Sequence, residues 1–310
     1  MDLFGLDSDL YFGFPYEDFK YPYDPNIVIN VNISSIQNIP SLQTLFATSL
    51  INKRQVDLIV SCGHFHQLQF TPEELKVGKV NILNHLNELI PAEGNQISLV
   101  STGNGIMTSL FECFAMCNEV SQEVGGTLCL ALHNKSQGLR IDIVRTMNEK
   151  NKIETPIVAK MRQFMGAVSE KLSKINKNAL WLHIPHSENG VITKRAIEGM
   201  NEEQLERLQK MMYIFAVGPA EPISDESVFK AYNVYSDKDY ITKGFAKPFL
   251  GNPNYNIEFI PCISKRSERN LFFADHMFLA PTYKTAWKNK IEDLRDKYGF
   301  YTGEKNAQAR

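Results

Sequence analysis

The chain has 310 residues, of which 43% are hydrophobic and 22% are charged, as in an ordinary globular protein with a sizeable core. The formal net charge of −2, without a basic stripe carrying interleaved aromatic rings, argues against nucleic acid as a partner. Five cysteines without a framework spacing indicate a reducing compartment rather than a disulfide scaffold.

Residues 1–25 are acidic and crowded with aromatic rings. Two roles are open for this segment: it docks a protein partner, or it lies across the protein's own surface with its rings in shallow apolar grooves. It lacks the basic start and long apolar run of a signal peptide, and no part of the sequence is long and apolar enough to span a bilayer. The rings belong to Phe4, Tyr11, Phe12, Phe14, Tyr16, Phe19, Tyr21 and Tyr23.

Residues 26–95 are predicted to form an N-terminal α/β region. Strand-like runs cover 27–33 and 56–60, and a capping box with proline at the first helical position opens a helix at Thr71. The turn-rich stretch 91–95 is the predicted boundary before the next region.

A possible zinc cluster occurs in the same region. Cys62, His64 and His66 alternate along a strand-like stretch, so their side chains would face the same way. Because no fourth ligand follows at a recognisable distance, we predict no metal site.

Residues 96–302 alternate between apolar strand-like runs and helical patterns, which predicts a mostly parallel sheet covered by helices on both faces. Cys113 and Cys117 lie four apart on one helix face and are expected to be small core residues. Residues 303–310 are expected to form a mobile tail. Strands are predicted over 97–101, 127–132, 179–185, 212–217, 228–235 and 256–263, and helices over 107–122, 156–174, after Ser187 and from Thr282 onward.

The turn after the first core strand is rich in glycine. In Gly103-Asn-Gly105-Ile-Met107, the absence of side chains lets backbone N–H groups of Gly105, Ile106 or Met107 point into a site, as an oxyanion hole requires. A plain turn between strand and helix is the equally weighted alternative. A dinucleotide fingerprint is disfavoured because Thr108 stands where its third glycine belongs.

The most informative pattern is a buried-looking strand that runs through Ser187 into a helical stretch. This arrangement is typical of a nucleophile elbow, a sharp turn that lifts a serine hydroxyl above the sheet. The N–H of Glu188, at the helix start, would then help to hold an oxyanion. The alternative is an ordinary helix whose N-cap is Ser187.

The elbow departs from the usual G-x-S-x-G pattern at two positions. Pro185 and Asn189 stand where small residues are expected, because the strained turn brings backbone segments close together. Proline has no N–H to lose at a strand end, and asparagine tolerates unusual backbone angles, so the turn stays possible.

Candidate partners for Ser187 follow in the chain order Ser, Asp, His. The run 228–235 ends in an acidic turn, where Asp239 is the predicted orienting acid and Asp237 the reserve; both could instead cap a solvated turn. His276 is the only histidine after His186, so it is the one late residue able to act as a general base near neutral pH.

The sequence resembles a poorly characterised α/β-hydrolase-like family found in chlamydiae and their relatives. The resemblance rests on the Gly103 turn, on 125–134, on His186-Ser187-Glu188, on 235–239 and on Asp275-His276, and spans about two thirds of the chain. Members typically carry a His-Ser-Gln-Gly elbow, whereas Glu188-Asn189 stands here in place of Gln-Gly. The resemblance implies an α/β-hydrolase-like fold and a serine-hydrolase scaffold.

These observations predict a serine hydrolase that cleaves an ester, thioester or related acyl bond of a small acyl or lipid substrate without a cofactor. The alternative is a hydrolase fold that has lost catalysis and acts as a binding or effector module, with the aromatic segment as its docking element. We expect a bacterial cytoplasmic protein, with specialised secretion into a host cell as the alternative.

Overall fold

The computed structural model describes residues 58–61, 86–87, 89–108, 110–125, 127–265 and 275–301. Five of the sequence predictions lie outside these residues: the aromatic segment 1–25, the strand at 27–33, the helix at Thr71, the Cys62–His66 cluster and the tail 303–310.

The described residues contain seven strands, which form a single sheet. The strands are β1 (Leu58–Ser61), β2 (Ile97–Gly103), β3 (Leu128–Leu132), β4 (Leu180–Pro185), β5 (Met212–Val217), β6 (Lys230–Ser236) and β7 (Ile257–Ile260). Their order across the sheet is β1-β3-β2-β4-β5-β6-β7. Six strands run parallel, and β1 pairs with β3 in the antiparallel direction at one edge.

Helices cover both faces of this sheet. Those described are α1 (Leu110–Glu123), α2 (Leu139–Lys150), α3 (Pro156–Ile175), α4 (Glu188–Glu198), α5 (Glu202–Met211), α6 (Lys243–Ala246) and α7 (Pro281–Tyr298). On one face, α3, α4 and α5 bury an apolar cluster with side chains such as Phe164 and Leu208. On the other face, α1 and α7 bury a second cluster, which includes Cys113, Cys117 and Trp287. The predicted mostly parallel sheet between two helical layers is confirmed.

The order of the strands also predicts where a ligand can bind. The chain passes from β2 to β3 on one side, then crosses back to β4 on the other side of β2. In open sheets of this kind, ligands bind beyond the carboxyl ends of the strands at such a reversal. The residues just after β2 and β4 therefore lie at the most favourable position in the fold for a site.

Most strand and helix positions predicted from the sequence agree with the structure. The strand at 212–217 has the predicted bounds, and the helix at 156–174 extends one residue further, to Ile175. The last strand is shorter than the predicted 256–263 and ends at Ile260. Among the described helices, none is long and apolar enough to cross a membrane.

One prediction about the core is wrong. No helix was predicted between the strand at 127–132 and the helix at 156–174, but this stretch contains the twelve-residue helix α2. The side chains that α2 buries are polar, namely Asp142, Arg145, Thr146 and Glu149. A helix normally shows its presence by an inward apolar stripe, and this one lacks it.

Candidate active site

Ser187 lies between β4 and α4 in a strained backbone conformation, with φ 54° and ψ −119°. A residue with a side chain adopts such angles at an expense of about 1–3 kcal/mol, and only where its surroundings hold it there. Three backbone hydrogen bonds do so: the Ser187 N–H donates to the carbonyl of Val217 at 3.2 Å, and the Ser187 carbonyl accepts the N–H groups of Gly190 at 3.0 Å and Ala220 at 2.8 Å. The Ser187 side chain makes no capping hydrogen bond to α4.

The structure accommodates both departures from the usual elbow pattern. Pro185 ends β4 opposite Gly103 in the parallel register, and a strand end does not require its missing N–H. The Asn189 side chain fills the space beside Gly103, which has no side chain of its own. Gly190 takes the close approach at the next position, where an added Cβ would lie 2.4 Å from Pro219 Cβ.

Three of the predicted site residues meet beyond the carboxyl ends of β4, β6 and β7. Ser187 Oγ lies 2.8 Å from His276 Nε2, and His276 Nδ1 lies 2.7 Å from Asp239 Oδ2. The side chains are nearly inaccessible to solvent, with relative exposures of 4% for Ser187, 3% for His276 and 0% for Asp239. When Nδ1–H donates to the carboxylate, Nε2 is left as an acceptor for the serine hydroxyl proton.

Asp239 is held in an ionised state by its neighbours. Burial by itself would raise the pKa of Asp239, but the charge and hydrogen bond of His276, with hydrogen bonds from Thr242 and Tyr283, outweigh it and lower the pKa. Thr242 Oγ1 and Tyr283 Oη donate to Oδ2 at 2.7 and 2.6 Å. The reserve acid, Asp237, instead accepts the N–H of Cys262 at 3.0 Å.

His186 ties the loop that carries His276 to the elbow. Its Nε2–H donates to the backbone carbonyl of His276 at 2.7 Å, and the two rings lie 4.9 Å apart between centroids. Burial, followed by the neighbouring His276, lowers the pKa of His186 to about 3. His186 is therefore neutral near pH 7 and acts as a hydrogen-bond donor to the backbone of His276.

The glycine-rich turn after β2 packs directly against Ser187. A Cβ added to Gly105 would lie 2.6 Å from Ser187 Cβ, so only glycine fits there. The N–H of Met107 donates to Asp142 Oδ2 at 3.2 Å and is therefore already engaged. Among the described residues the N–H of Ile106 has no hydrogen-bond partner, and the N–H of Glu188 opens α4, where a helix offers no acceptor.

The side chain of Glu188 anchors the elbow to α2. Arg145 donates to both carboxylate oxygens of Glu188, at 2.8 and 2.9 Å, while Thr146 and Asn134 complete its shell at 3.0 and 2.5 Å. Burial raises the pKa of Glu188, and the hydrogen bonds from Arg145 and Thr146 oppose that rise. Asn104 extends the same network, because its Oδ1 accepts the N–H of Asn134 at 2.7 Å.

The residues of α2 that support the site were missed by sequence reasoning. Asp142 holds the turn after β2, and Arg145 holds Glu188, so both sides of the Ser187 hydroxyl rest on one helix. The available signal was the spacing of Asp142, Arg145, Thr146 and Glu149, which places four polar side chains on one helical face. Within the described residues, no group of three acidic, histidine or cysteine side chains is arranged to hold a metal ion.

No protein-family model and no curated protein matches this chain. Similar solved structures include an α/β serine hydrolase without a lid from Xanthomonas campestris, which is 8% identical, covers 78% of this chain and 88% of that chain, and has a TM-score of 0.39. An α/β serine hydrolase homologue from Coxiella burnetii is 12% identical over 66% of this chain and 86% of that chain, with a TM-score of 0.35. A poly(3-hydroxybutyrate) depolymerase from Bordetella parapertussis is 8% identical over 85% of this chain and 98% of that chain, with a TM-score of 0.41. Likenesses at this level identify no substrate or reaction for this chain.

Proposed function

We propose that this protein is a serine hydrolase that cleaves an ester, thioester or related acyl bond. Ser187 Oγ attacks the carbonyl carbon, and His276 Nε2 takes the hydroxyl proton and passes it to the leaving group. Asp239 orients the imidazole and stabilises its charged form. Water then attacks the acyl-enzyme with His276 as the base, which frees the acid and restores the serine.

The observation that carries this proposal is the 2.8 Å separation of Ser187 Oγ and His276 Nε2 at a serine held in strained backbone geometry. Strain of this kind persists where the surroundings enforce it, and it clusters at catalytic positions. An ordinary N-cap serine would turn its hydroxyl onto the helix N–H groups, and Ser187 makes no such bond.

The developing oxyanion would be held by the backbone N–H groups of Glu188 and Ile106. Glu188 follows the nucleophile, and Ile106 follows Gly105, whose backbone lies against Ser187. Removing one oxyanion donor typically lowers kcat by about 10²–10³-fold, so the rigidity of this turn matters to the rate.

A small acyl or lipid is the substrate class that we propose. Tyr240 directly follows Asp239 and is 68% exposed, and Met277 directly follows His276 and is 43% exposed. Both exposed side chains are candidates to contact the hydrocarbon part of an acyl substrate. The mechanism requires no metal or organic cofactor.

We also propose that the chain belongs to the chlamydial-type family that its sequence resembles. The residues that carry the resemblance include His186-Ser187 and Asp275-His276. Support comes from the hydrogen bonds that join His186 and Ser187 to His276, because they explain why such residues would occur together.

Labelling with a fluorophosphonate probe tests the proposed reaction. The full chain and a Ser173→Ala variant, which loses an exposed hydroxyl on α3, should take up label equally. Ser187→Ala should take up none, and its kcat on an ester substrate should fall by about 10⁶-fold. A folded, unlabelled wild-type chain would reject the hydrolase and favour the binding module built on the same fold.

A further inference from the structure

Helix α2 presents its apolar side chains to solvent and its polar side chains to the protein. Of the twelve large apolar side chains that are exposed among the described residues, six lie on α2 or just after it. They are Leu139, Ile141, Ile143, Val144, Met147 and Ile153, with exposures of 40–54%. Scattered exposed apolar residues need no explanation, but a contiguous group on one element marks a surface that binds something.

The inward face of α2 explains why the helix cannot turn over to bury these residues. Asp142, Arg145, Thr146 and Glu149 recur at helical spacing and are all buried. Arg145 and Thr146 bind Glu188, Asp142 accepts the N–H of Met107, and Glu149 accepts the hydroxyl of Thr155 at 2.8 Å. Rotation of α2 would leave these buried polar groups without partners, which is strongly unfavourable. The apolar face is thus fixed outward.

The charge around this face is basic. Lys135, Arg140 and Lys152 are exposed on α2 or within a few residues of it. The exposed acid on the same stretch, Glu154, is paired with Arg162 at 2.9 Å. A partner that is both apolar and acidic would therefore match the apolar face of α2 in both respects.

We propose that residues 1–25 of this chain dock on the apolar face of α2. The segment carries eight aromatic rings, and it has six acidic residues against one lysine. Aromatic rings bury large apolar areas with little loss of side-chain freedom, and the acids complement the basic rim. The acids are Asp2, Asp7, Asp9, Glu17, Asp18 and Asp24, and the base is Lys20.

The connectivity of the fold favours this occupant. Residues 26–57 join the segment to β1, which pairs with β3, and β3 leads into α2 after residues 133–138. A connection of that length can span roughly 100 Å when extended, so α2 is within reach. Tethering makes docking an intramolecular event, so the segment has a higher effective concentration at α2 than the same segment free in solution.

A second copy of the chain is a poorer occupant. Two copies related by a twofold axis would bring the same basic rim against itself, because such an interface pairs identical patches. The like charges of Arg140 and Lys152 would then oppose association. An anionic lipid surface would match the basic charge around the apolar face of α2, but it would have to compete with the tethered residues 1–25.

Photo-cross-linking of the full chain tests the proposal. Val144, 54% exposed on α2, is replaced by 4-benzoylphenylalanine, and Ile263, 56% exposed beyond the edge strand β7, serves as the matched control. After irradiation, mass spectrometry should find position 144 joined to peptides from residues 1–25 and position 263 not joined to them. The cross-linking experiment needs no substrate, so its result does not depend on whether Ser187 is a nucleophile.

Charge removal and lipid addition complete the test. Combining Asp7→Asn, Asp9→Asn, Glu17→Gln and Asp18→Asn should lower the cross-link yield from position 144 by about fivefold, because several surface charge pairs are lost together. Unchanged yield after neutralisation, cross-links from position 144 that join two chains, or equal yields from positions 144 and 263 would each overturn the proposal. The proposal would also be overturned if, in the presence of phosphatidylglycerol vesicles, position 144 became cross-linked to lipid instead of to residues 1–25.

Discussion

The Asn189 side chain occupies the space that a side chain on Gly103 would need. A Cβ added to Gly103 would lie 1.9 Å from Asn189 Oδ1 and 2.1 Å from its Cγ. We therefore expect Gly103→Ala to destabilise the protein by about 1–3 kcal/mol, since neither β2 nor α4, which carries Asn189, can move away freely. Urea denaturation of the wild type and the variant measures the difference.

The double variant Gly103→Ala with Asn189→Ala is the control for this relationship. The second substitution removes all three Asn189 atoms that the new methyl group would meet. The double variant should lose at least about 1 kcal/mol less than the sum of the two single variants, as coupled neighbours do. Simple additivity would show that the two positions do not share this space.

Replacement of Asp239, the proposed orienting acid, should mainly lower kcat. Asp239→Asn keeps the size of the side chain but removes the charge that fixes the imidazole, so we expect kcat to fall by about 10⁴-fold. Asp237→Asn, at the reserve acid, should change kcat little, because Asp237 binds the Cys262 N–H. Steady-state kinetics on an ester substrate compares the two.

From the ionisation of Asp239 we also expect the free energy of unfolding to depend on pH. Because its pKa is lower in the folded state than the ordinary value of about 3.9, the unfolded chain takes up the proton first as pH falls. The stability that the ionised carboxylate contributes is complete above about pH 4 and is lost below it. The difference in unfolding free energy between the wild type and Asp239→Asn should narrow from pH 5 to pH 3, and a constant difference would contradict this assignment.

Tyr283 supports the acid from helix α7. Its hydroxyl donates to Asp239 Oδ2 at 2.6 Å and accepts the N–H of Ser236 at 3.1 Å. Tyr283→Phe leaves both buried groups without this partner, which should lower the free energy of unfolding by about 1–3 kcal/mol. Tyr240→Phe, which removes an exposed hydroxyl, should change it by less than about 0.5 kcal/mol. Equal losses of unfolding free energy in Tyr283→Phe and Tyr240→Phe would mean that the hydrogen bonds of the Tyr283 hydroxyl do not stabilise the fold.

Arg145 holds a buried charge in place. Arg145→Met leaves the Glu188 carboxylate without its main partner and should destabilise the protein by about 3–5 kcal/mol at neutral pH. Arg140→Met, at an exposed arginine on the same helix, should cause a change of less than about 0.5 kcal/mol. Thermal and urea denaturation distinguish the two variants.

The stability lost in Arg145→Met should depend on pH in the opposite sense to the stability that ionised Asp239 contributes. Burial already raises the pKa of Glu188, and removal of Arg145 takes away a hydrogen bond and a charge that lower it. A folded-state pKa above the unfolded value of about 4.3 means that stability falls as pH rises through that interval. The deficit of Arg145→Met should therefore grow above about pH 4.3, and adding Glu188→Gln should abolish that growth.

The parts of the fold that were predictable from the sequence depend on local patterns. Short apolar runs closed by glycine, proline or acidic residues predicted strands such as 97–101, observed over Ile97–Gly103, and 212–217, because a strand of a parallel sheet is buried on both faces. The order of Ser187, Asp239 and His276, each just past a strand, led to the expectation that they share one edge of the sheet. The structure brings them together, and their catalytic roles remain a prediction.

The parts that were missed depend on contacts between distant residues. Helix α2 was not predicted because its inward side chains bind Glu188 and Met107 rather than an apolar core. Likewise, the space for Asn189 comes from Gly103, 86 positions earlier, so no local rule for the elbow can reveal it. Tyr283 reaches Asp239 from 44 residues away, and only the packing of α7 on the sheet decides that contact.

Ser187 and His276 are 89 residues apart in the polypeptide, with β5, β6 and β7 between them. At synthesis rates of about 5–20 residues per second, a nascent chain carries its serine for roughly 5–20 seconds before the histidine is added. Under the proposed mechanism, the hydroxyl has no base during that time. Under that mechanism, the order of translation would keep the unfinished polypeptide unreactive toward acyl groups until the last strands have left the ribosome.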